Sequence, residues 1–355
     1  MTHVARFDIY YTQFLDHNAE LGRELPAAFR DPKDLIPLYQ AMVRTRLFDK
    51  KAIALQRTGQ LGTFASCLGQ EAIGVAVGGM MRTEDVLLSS YRDYGAQFLR
   101  GVRMLDILLY WGGDERGMSY PSAPRHDFPI CVPVGSQTCH AVGVALAMQY
   151  RKEARVAVCI LGDGATSKGD FYESINIAGV WRLPVVFVIN NNQWAISVSR
   201  STQSAAETLA QKAIAAGIRG EQVDGNDVIA VSYAVSNAID SARHGGGASI
   251  IEALSYRLGD HTTADDARRY RSEEEVKRQR QYDPIERVRK YLVHSGCWGE
   301  EEETQLQQRC TTEVETAVSQ YLDTPPQAPE TMFDFLYATL PAALAEQRQE
   351  VRGDV

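Results

Sequence analysis

The sequence contains no apolar run that approaches the length of a membrane-spanning helix, which needs about 18 or more apolar residues. Its six cysteines include no Cys-x-x-Cys pair, and this spacing favours reduced thiols over a disulfide framework or a zinc site. Because the formal net charge is −8 and there is no polybasic run, neither nucleic acid nor an anionic membrane is expected as a partner. The first 30 residues carry scattered acidic side chains and no apolar signal core, so no targeting peptide is indicated. We therefore expect a cytoplasmic protein.

Two common phosphate-binding motifs are also absent. Gly162 and Gly164 follow an apolar run, as glycines do in a dinucleotide site, but the next glycine is Gly169. That gives G-x-G-x4-G where G-x-G-x-x-G is required, and Asp163 would face a pyrophosphate with like charge. No Gly-Lys-Ser/Thr follows these glycines, which excludes a P-loop.

Apolar runs and helical patterns alternate through the middle of the chain. Residues 155–161, 184–190 and 249–256 are rich in β-branched apolar side chains, and helix-like segments at 170–181 and 226–244 lie between them. Strands that are apolar throughout are typical of a parallel sheet covered on both faces. The sequence therefore predicts a doubly wound α/β fold, whose ligands bind at the carboxyl ends of the strands.

The remaining segments suggest a simple organisation. Residues 1–33 are polar and contain proline, so we expect an arm on the surface or on a neighbouring chain. Residues 34–272 form the α/β domain, and its last part, 258–272, is charged and without periodicity, as in an exposed loop. Residues 273–355 are expected to form a helical C-terminal region and tail.

The polar residues after two of the predicted strands suggest a metal site. Asp163 follows the first strand within Gly-Asp-Gly, and after a further 26 residues Asn191 and Asn192 end the next strand. Mg²⁺ prefers an octahedron of oxygens from one or two carboxylates, phosphate groups and water. Asp163, the amide oxygen of Asn192 and a carbonyl of the following loop could meet there with two diphosphate oxygens and a water. We expect the Asp163 carboxylate to be exposed at its strand end.

Gly-Asp-Gly followed after 26 residues by Asn-Asn is the thiamine diphosphate fingerprint. Over about residues 36–345, the chain resembles the alpha subunit of the thiamine diphosphate-dependent 2-oxo acid dehydrogenase first component. The resemblance is greatest to the pyruvate dehydrogenase type of Gram-positive bacteria, notably at 203–227 and 260–272. It implies decarboxylation of a 2-oxo acid with thiamine diphosphate and Mg²⁺. It also implies a beta subunit in an α2β2 heterotetramer and a lipoyl-bearing dihydrolipoamide acyltransferase as partners.

The resemblance also implies roles for individual residues. Asp163, Asn192 and the carbonyl of Trp194 match the family's magnesium ligands, although the family usually has Tyr at the last position. Gly164 and Ala165 match backbone contacts to the diphosphate.

Further residues match the family's other cofactor contacts. Tyr91 and Arg92 match the pair that holds the phosphates, for which a guanidinium fork is suited. Val132 and Val134 match backbone contacts to the aminopyrimidine, and Ile196 matches the apolar wedge that bends the cofactor.

His261, in the 258–272 loop, matches a catalytic histidine that reaches the phosphates or the reacting acyl group; without the resemblance it reads as a solvated loop histidine. Asp260 departs from the pattern, since branched-chain enzymes usually have His there and Gram-positive pyruvate enzymes have Pro. Thr262 lies where mammalian relatives carry a regulatory phosphoserine. The nearby arginines either hold the loop or form a solvated charge cluster: Arg257, Arg268, Arg269 and Arg271.

Two other interpretations remain open. A branched-chain 2-oxo acid dehydrogenase alpha subunit would share every cofactor residue and differ only in its acyl pocket. A noncatalytic subunit that kept the fold would be expected to lose a metal ligand or the Tyr-Arg pair, and this chain keeps both. The glutamate that activates the cofactor belongs to the beta subunit in this family, and no equivalent is assignable here, so the chain is expected to supply half of an active site.

Overall fold

The computed structural model describes residues 1–124, 126–334 and 336–353. Its strands are β1 (Tyr11–Thr12), β2 (Val86–Leu88), β3 (Ala157–Gly162), β4 (Val185–Asn191), β5 (Trp194–Ala195), β6 (Val198–Ser199), β7 (Arg219–Asp224) and β8 (Ser249–Leu254). Within these ranges, a six-stranded sheet has the order β1-β7-β8-β4-β3-β2, and every neighbouring pair in it is parallel. β5 and β6 form a separate antiparallel pair.

The helices surround this sheet and extend beyond it. They are α1 (Ile36–Arg57), α2 (Glu71–Met80), α3 (Tyr94–Leu99), α4 (Met104–Trp111), α5 (Ser136–Tyr150), α6 (Gly169–Val180), α7 (Arg200–Gln203), α8 (Lys212–Ala215), α9 (Val228–Arg243), α10 (Glu273–Gln279), α11 (Pro284–His294), α12 (Glu300–Leu322) and α13 (Ala342–Gly353).

Both faces of the sheet are buried, which confirms the predicted α/β class. Along β4, Val186 and Val188 face a core that also contains residues of α1, α2 and α9, whereas Phe187 and Ile189 face a core with residues of α5 and α6. All of these β4 side chains are 0% exposed. The alternation follows from the two-residue period of a strand, so apolar residues are needed on both faces of its central part.

The crossover from β3 through α6 to β4 places two strand ends side by side. Leu161 pairs with Ile189 and Gly162 with Asn190, so the chain leaves both strands at the same edge of the sheet. β8 pairs with β4 on the other side and ends at that same edge, where Asn191 pairs with Leu254. Asp163, Asn192 and the segment after β8 are thereby brought together.

The N-terminal segment is more deeply integrated than its polar composition indicates. Tyr11–Thr12 add the edge strand β1 to the sheet through pairing with β7. Phe14 and Leu15 follow it and are buried in the core, and the Asp227 carboxylate accepts hydrogen bonds from both of their backbone N–H groups. A buried acceptor on α9's N-terminus thus fixes a segment in which the sequence shows no strand pattern.

The C-terminal helices pack partly against the first half of the chain. α12 lies against α1 and α4, and Arg44 and Lys51 of α1 form ion pairs with Glu313 and Glu315 of α12. Among the described residues, no helix is both long enough and apolar enough to cross a membrane.

Candidate active site

The end of β3 forms a tight turn against the segment after β4. Gly162 is followed by a 3-10 helix, Asp163–Ser167, before α6 begins. A Cβ atom at Gly164 would lie 2.8 Å from the Cβ of Ala195, a distance too short for two carbons. Glycine at 164 is therefore required for the close approach of these two segments.

Asp163 is buried, not exposed as expected from the sequence. It is 2% exposed. Burial raises its pKa to about 6, against the opposing effect of the Arg257 charge. Its Oδ2 atom has no hydrogen-bond partner within the described part of the chain. A buried carboxylate oxygen without a donor is costly, and a bound cation is one way in which such an atom is satisfied.

Asn192 is held from two sides. Its Nδ2 donates to Oε1 of Gln70 at 2.8 Å, and its Oδ1 accepts from the Trp194 backbone N–H at 3.3 Å. The second hydrogen bond is long, and an amide oxygen has two lone pairs, so Oδ1 retains capacity to bind another group.

Arg257 fixes the backbone of the loop that follows Asn192. Its guanidinium donates to the carbonyls of Trp194 at 3.2 Å and Ile196 at 2.8 Å, and to the Tyr270 hydroxyl at 2.7 Å. Ile196 has φ of 54°, a left-handed conformation that is rare for a β-branched residue. Such strain persists only where neighbouring contacts impose it, and it is concentrated at ligand-binding sites.

Arg92 and His261 meet in the wall of the same cavity. Nη2 of Arg92 lies 2.9 Å from Nδ1 of His261 and also donates to the His261 carbonyl, while Nη1 donates to the Ser66 carbonyl at 2.7 Å. Because a guanidinium can only donate, Nδ1 must accept, and the neutral ring therefore carries its proton on Nε2. Burial, together with Arg92 and Arg257, lowers the pKa of His261 to about 4, so the ring is neutral at pH 7.

The structure brings every candidate site residue to the wall of one cavity. Those residues are Tyr91, Arg92, Val132, Val134, Asp163, Gly164, Ala165, Asn192, Trp194, Ile196 and His261. They come from segments that are far apart in the sequence and meet at the carboxyl edge of the sheet. The magnesium, cofactor and catalytic roles assigned to them remain predictions.

The cavity is also lined by residues that were not predicted from the sequence. They include Gln70, Ser90, Cys131, Gly135, Gln137 and Asn190. Asn190 belongs to the same asparagine triplet as Asn192 and could have been proposed from it. No motif or spacing in the sequence indicates Gln70. The sequence predicts for Arg257 only a role in holding the 258–272 loop or in a solvated charge cluster.

The rim of the cavity is apolar and open. Val132, Val134 and Ile196 are 50%, 44% and 55% exposed. Large apolar side chains around an opening are typical of a surface that another molecule covers.

The 258–272 segment is held more firmly than a free loop. Ala267 is buried, and its N–H donates to the Asp260 carboxylate at 3.0 Å. Arg271 is also buried and donates to the carbonyls of Leu258 and Gly259. Arg268 and Arg269 remain exposed. The arginines therefore have two different roles. Arg257 and Arg271 donate to backbone carbonyls and hold the segment, whereas Arg268 forms an ion pair with neighbouring Asp266.

Taken together, the fold and the cavity define a class. A doubly wound parallel sheet binds its ligand at the carboxyl ends of its strands. Here that edge presents one carboxylate oxygen, Asp163 Oδ2, with no donor among residues 1–124, 126–334 and 336–353, beside an amide oxygen. The Arg92 guanidinium lines the same cavity. This donor set suits a divalent cation with an anionic ligand, and the molecule is an α/β protein with a cavity at the carboxyl edge of its parallel sheet.

Known proteins resolve the class further. The family model described as "Dehydrogenase E1 component" matches residues 39–330. The chain is 42% identical over 321 residues to the 3-methyl-2-oxobutanoate dehydrogenase subunit alpha of Mycobacterium tuberculosis, covering 90% of this chain and 86% of that protein. It is 39% identical over 336 residues to the pyruvate dehydrogenase E1 component subunit alpha of Staphylococcus aureus, covering 94% and 90%.

The chain belongs to the dehydrogenase E1 component family, a family of thiamine diphosphate-dependent oxidoreductases that act on 2-oxo acids. The resemblance stated from the sequence is thereby confirmed. The chain is thus similar to alpha subunits of both a branched-chain and a pyruvate enzyme.

Proposed function

We propose that this chain is the alpha subunit of a pyruvate dehydrogenase first component, which decarboxylates pyruvate and transfers the acetyl group reductively to a lipoyl group. One observation carries the proposal: the residues that match the family's cofactor contacts line a single cavity, around a buried carboxylate oxygen that lacks a donor among the described residues. Pyruvate is proposed first because segments 203–227 and 260–272 resemble the Gram-positive pyruvate enzymes.

The donor groups of the cavity are of the kinds that Mg²⁺ and a diphosphate require. Asp163 Oδ2, Asn192 Oδ1 and the Trp194 carbonyl would hold the metal, and Arg92 would hold the diphosphate. When bound, thiamine diphosphate supplies the electron sink for loss of CO2 from the 2-oxo acid. The Trp194 carbonyl already accepts from Arg257 at 3.2 Å, but a carbonyl oxygen has a second lone pair.

The chain's own side chains prepare the remaining contacts. His261 is neutral and bears its proton on Nε2, so it can donate a hydrogen bond to an anionic oxygen without a prior change of protonation. Ile196 presents an apolar side chain from a strained backbone that Arg257 holds in place. The Arg257 guanidinium, the His261 Nε2–H donor and the Ile196 side chain are thus positioned before any ligand enters. This reduces the reorganisation required on binding.

A beta subunit is proposed as the partner that completes the site. The cavity rim is apolar, and the far ends of α5 and α6 carry further exposed apolar residues: Tyr150 is 86% exposed and Val180 is 69% exposed. Large exposed apolar side chains around an opening fit an interface with another subunit. We propose an α2β2 heterotetramer that delivers its product to the lipoyl group of a dihydrolipoamide acyltransferase.

A branched-chain 2-oxo acid is the second candidate substrate. The 42% identity to the Mycobacterium tuberculosis enzyme favours it. Asp260, which differs from both types of enzyme, offers no direct guide, because its carboxylate accepts the Ala267 N–H and holds the loop.

Reconstitution tests the function directly. We expect no decarboxylation of pyruvate or 3-methyl-2-oxobutanoate by the purified chain alone, and turnover once the beta subunit, Mg²⁺ and thiamine diphosphate are added. The measurement is CO2 release with each acid, with the chain shown free of beta subunit by mass spectrometry. A higher kcat/KM for pyruvate supports the first proposal. Preference for the branched acid replaces it with the second, and turnover by the chain alone contradicts the requirement for a partner.

Limited trypsinolysis tests whether the 258–272 loop responds to the cofactor. Arg268 and Arg269 are exposed, whereas Arg271 is buried. We expect cleavage after Arg268 and Arg269 in the α2β2 assembly without cofactor and slower cleavage with Mg²⁺ and thiamine diphosphate, because ligand contacts to His261 favour the closed loop. The His261→Ala variant should lose that protection. Equal cleavage rates with and without cofactor, read by mass spectrometry, would rule out such gating.

A further inference from the structure

Gln70 makes contacts that no sequence motif indicates. It precedes α2, is 3% exposed and lines the cavity. Its Oε1 accepts from Nδ2 of Asn190 at 3.0 Å and from Nδ2 of Asn192 at 2.8 Å. A single oxygen therefore holds the two amides at the end of β4.

The direction of these hydrogen bonds follows from the neighbouring groups. The backbone N–H of Trp194 can only donate, so the Asn192 atom facing it is Oδ1, and Nδ2 must face Gln70. The side chain of Gln70 must then present its oxygen to Nδ2. Its own Nε2 is buried and has no hydrogen-bond partner in the part of the chain that the structure describes.

The orientation of Asn192 matters because its two terminal atoms are chemically opposite. A rotation of the amide by half a turn exchanges oxygen for nitrogen with little change in shape. Only the oxygen can bind Mg²⁺, since an amide nitrogen has no lone pair available for a hard cation. The Trp194 N–H gives only a 3.3 Å contact, so the shorter hydrogen bond to Gln70 is the stronger restraint.

We propose that Gln70 is a positioning residue for Asn192, and that its Oε1 keeps the asparagine oxygen directed toward the metal. This inference rests on the proposed function, because it assumes that Asn192 is a metal ligand. A partner in the outer coordination shell that orients a ligand contributes to metal affinity without touching the metal.

The test is Mn²⁺ affinity, measured by electron paramagnetic resonance on the α2β2 assembly at saturating thiamine diphosphate. The Gln70→Leu variant removes the acceptor, and we expect Mn²⁺ to bind roughly 10–100-fold more weakly. The Gln70→Glu variant keeps an acceptor for both asparagine amides, and we expect it to restore the affinity to within about threefold of the wild type. If Gln70 had a purely structural role, the Gln70→Leu and Gln70→Glu variants would not differ in Mn²⁺ affinity in this way.

Gln97 provides a matched control. It is also a buried glutamine, and its amide donates to the Tyr120 hydroxyl at 3.2 Å. The Gln97→Leu variant makes the same chemical change and should leave Mn²⁺ affinity within about twofold of the wild type. Equal Mn²⁺ affinity in the wild type and the Gln70→Leu variant would overturn the inference and leave the proposed function standing, as would equal weakening by Leu and Glu at position 70. Failure of the wild-type assembly to bind Mn²⁺ with thiamine diphosphate would instead overturn both.

Discussion

Replacing Asp163 by Asn is expected to abolish magnesium-dependent binding of thiamine diphosphate and, at the same time, to stabilise the cofactor-free chain. The carboxylate is 2% exposed, and its Oδ2 lacks a donor among the described residues. An amide has nearly the same shape but no charge. The variant therefore loses an anionic metal ligand and also loses the cost of burying that charge. Calorimetric titration of the α2β2 assembly should show no magnesium-dependent binding.

The stability gain should depend on pH with a defined sign. Burial raises the pKa of Asp163 from 3.8 to about 6, so the folded chain binds more protons than the unfolded chain within that interval. Stability therefore falls as pH rises from about 4 to about 6, and the penalty is fully present above pH 6. The Asn variant lacks this contribution. We expect its unfolding free energy to exceed that of the wild type by on the order of 1–3 kcal/mol at pH 7, with little difference near pH 4.

Asp227 is the matched control for this prediction. Burial also raises its pKa to about 6, but its carboxylate accepts hydrogen bonds from the N–H groups of Phe14, Leu15 and Ile229. The Asp227→Asn variant should therefore be less stable than the wild type and should keep metal-dependent cofactor binding within the assembly. A cofactor-free Asp163→Asn chain that unfolds more readily at pH 7 would contradict the assignment of the unsatisfied carboxylate.

The fold was predictable where the side-chain pattern is unambiguous. The runs at 155–161, 184–190 and 249–256 correspond to β3, β4 and β8, because short, mostly apolar runs rich in β-branched residues are typical of strands buried on both faces. The juxtaposition of Asp163 and Asn192 followed from parallel topology alone, since a crossover of this length returns the chain to the same edge of the sheet.

What could not be predicted depends on single contacts between distant segments. β1 has only two residues, and it is fixed by β7 and by Asp227, which lies more than 200 positions later in the chain. The burial of Asp163 was not predicted, because the sequence shows where the strand ends and not the direction of the carboxylate. Gln70 contacts the side-chain amides of Asn190 and Asn192, and Arg257 contacts backbone carbonyls. Such contacts leave no periodic signal in a sequence.

The Arg257→Lys variant is expected to weaken thiamine diphosphate binding roughly 10–100-fold, although it preserves the positive charge. The guanidinium of Arg257 spans the carbonyls of Trp194 and Ile196 and the Tyr270 hydroxyl, and a single ammonium cannot reach all of these acceptors. Ile196 would then relax from φ of 54° toward an ordinary conformation, which moves the wedge and the Trp194 carbonyl together.

Arg243 allows the general cost of replacing a buried arginine to be separated from this specific effect. Its side chain is 4% exposed and forms an ion pair with Asp85 at 2.9 Å, away from the cavity. The Arg243→Lys variant should lower the melting temperature without changing the cofactor affinity of the α2β2 assembly. The Arg257→Lys variant should change the affinity in calorimetric titration and should also lower the occupancy of Mn²⁺ at a fixed cofactor concentration. If both variants bind thiamine diphosphate as tightly as the wild type, the strained loop at Ile196 is not maintained for the ligand, and Arg257 serves only the fold.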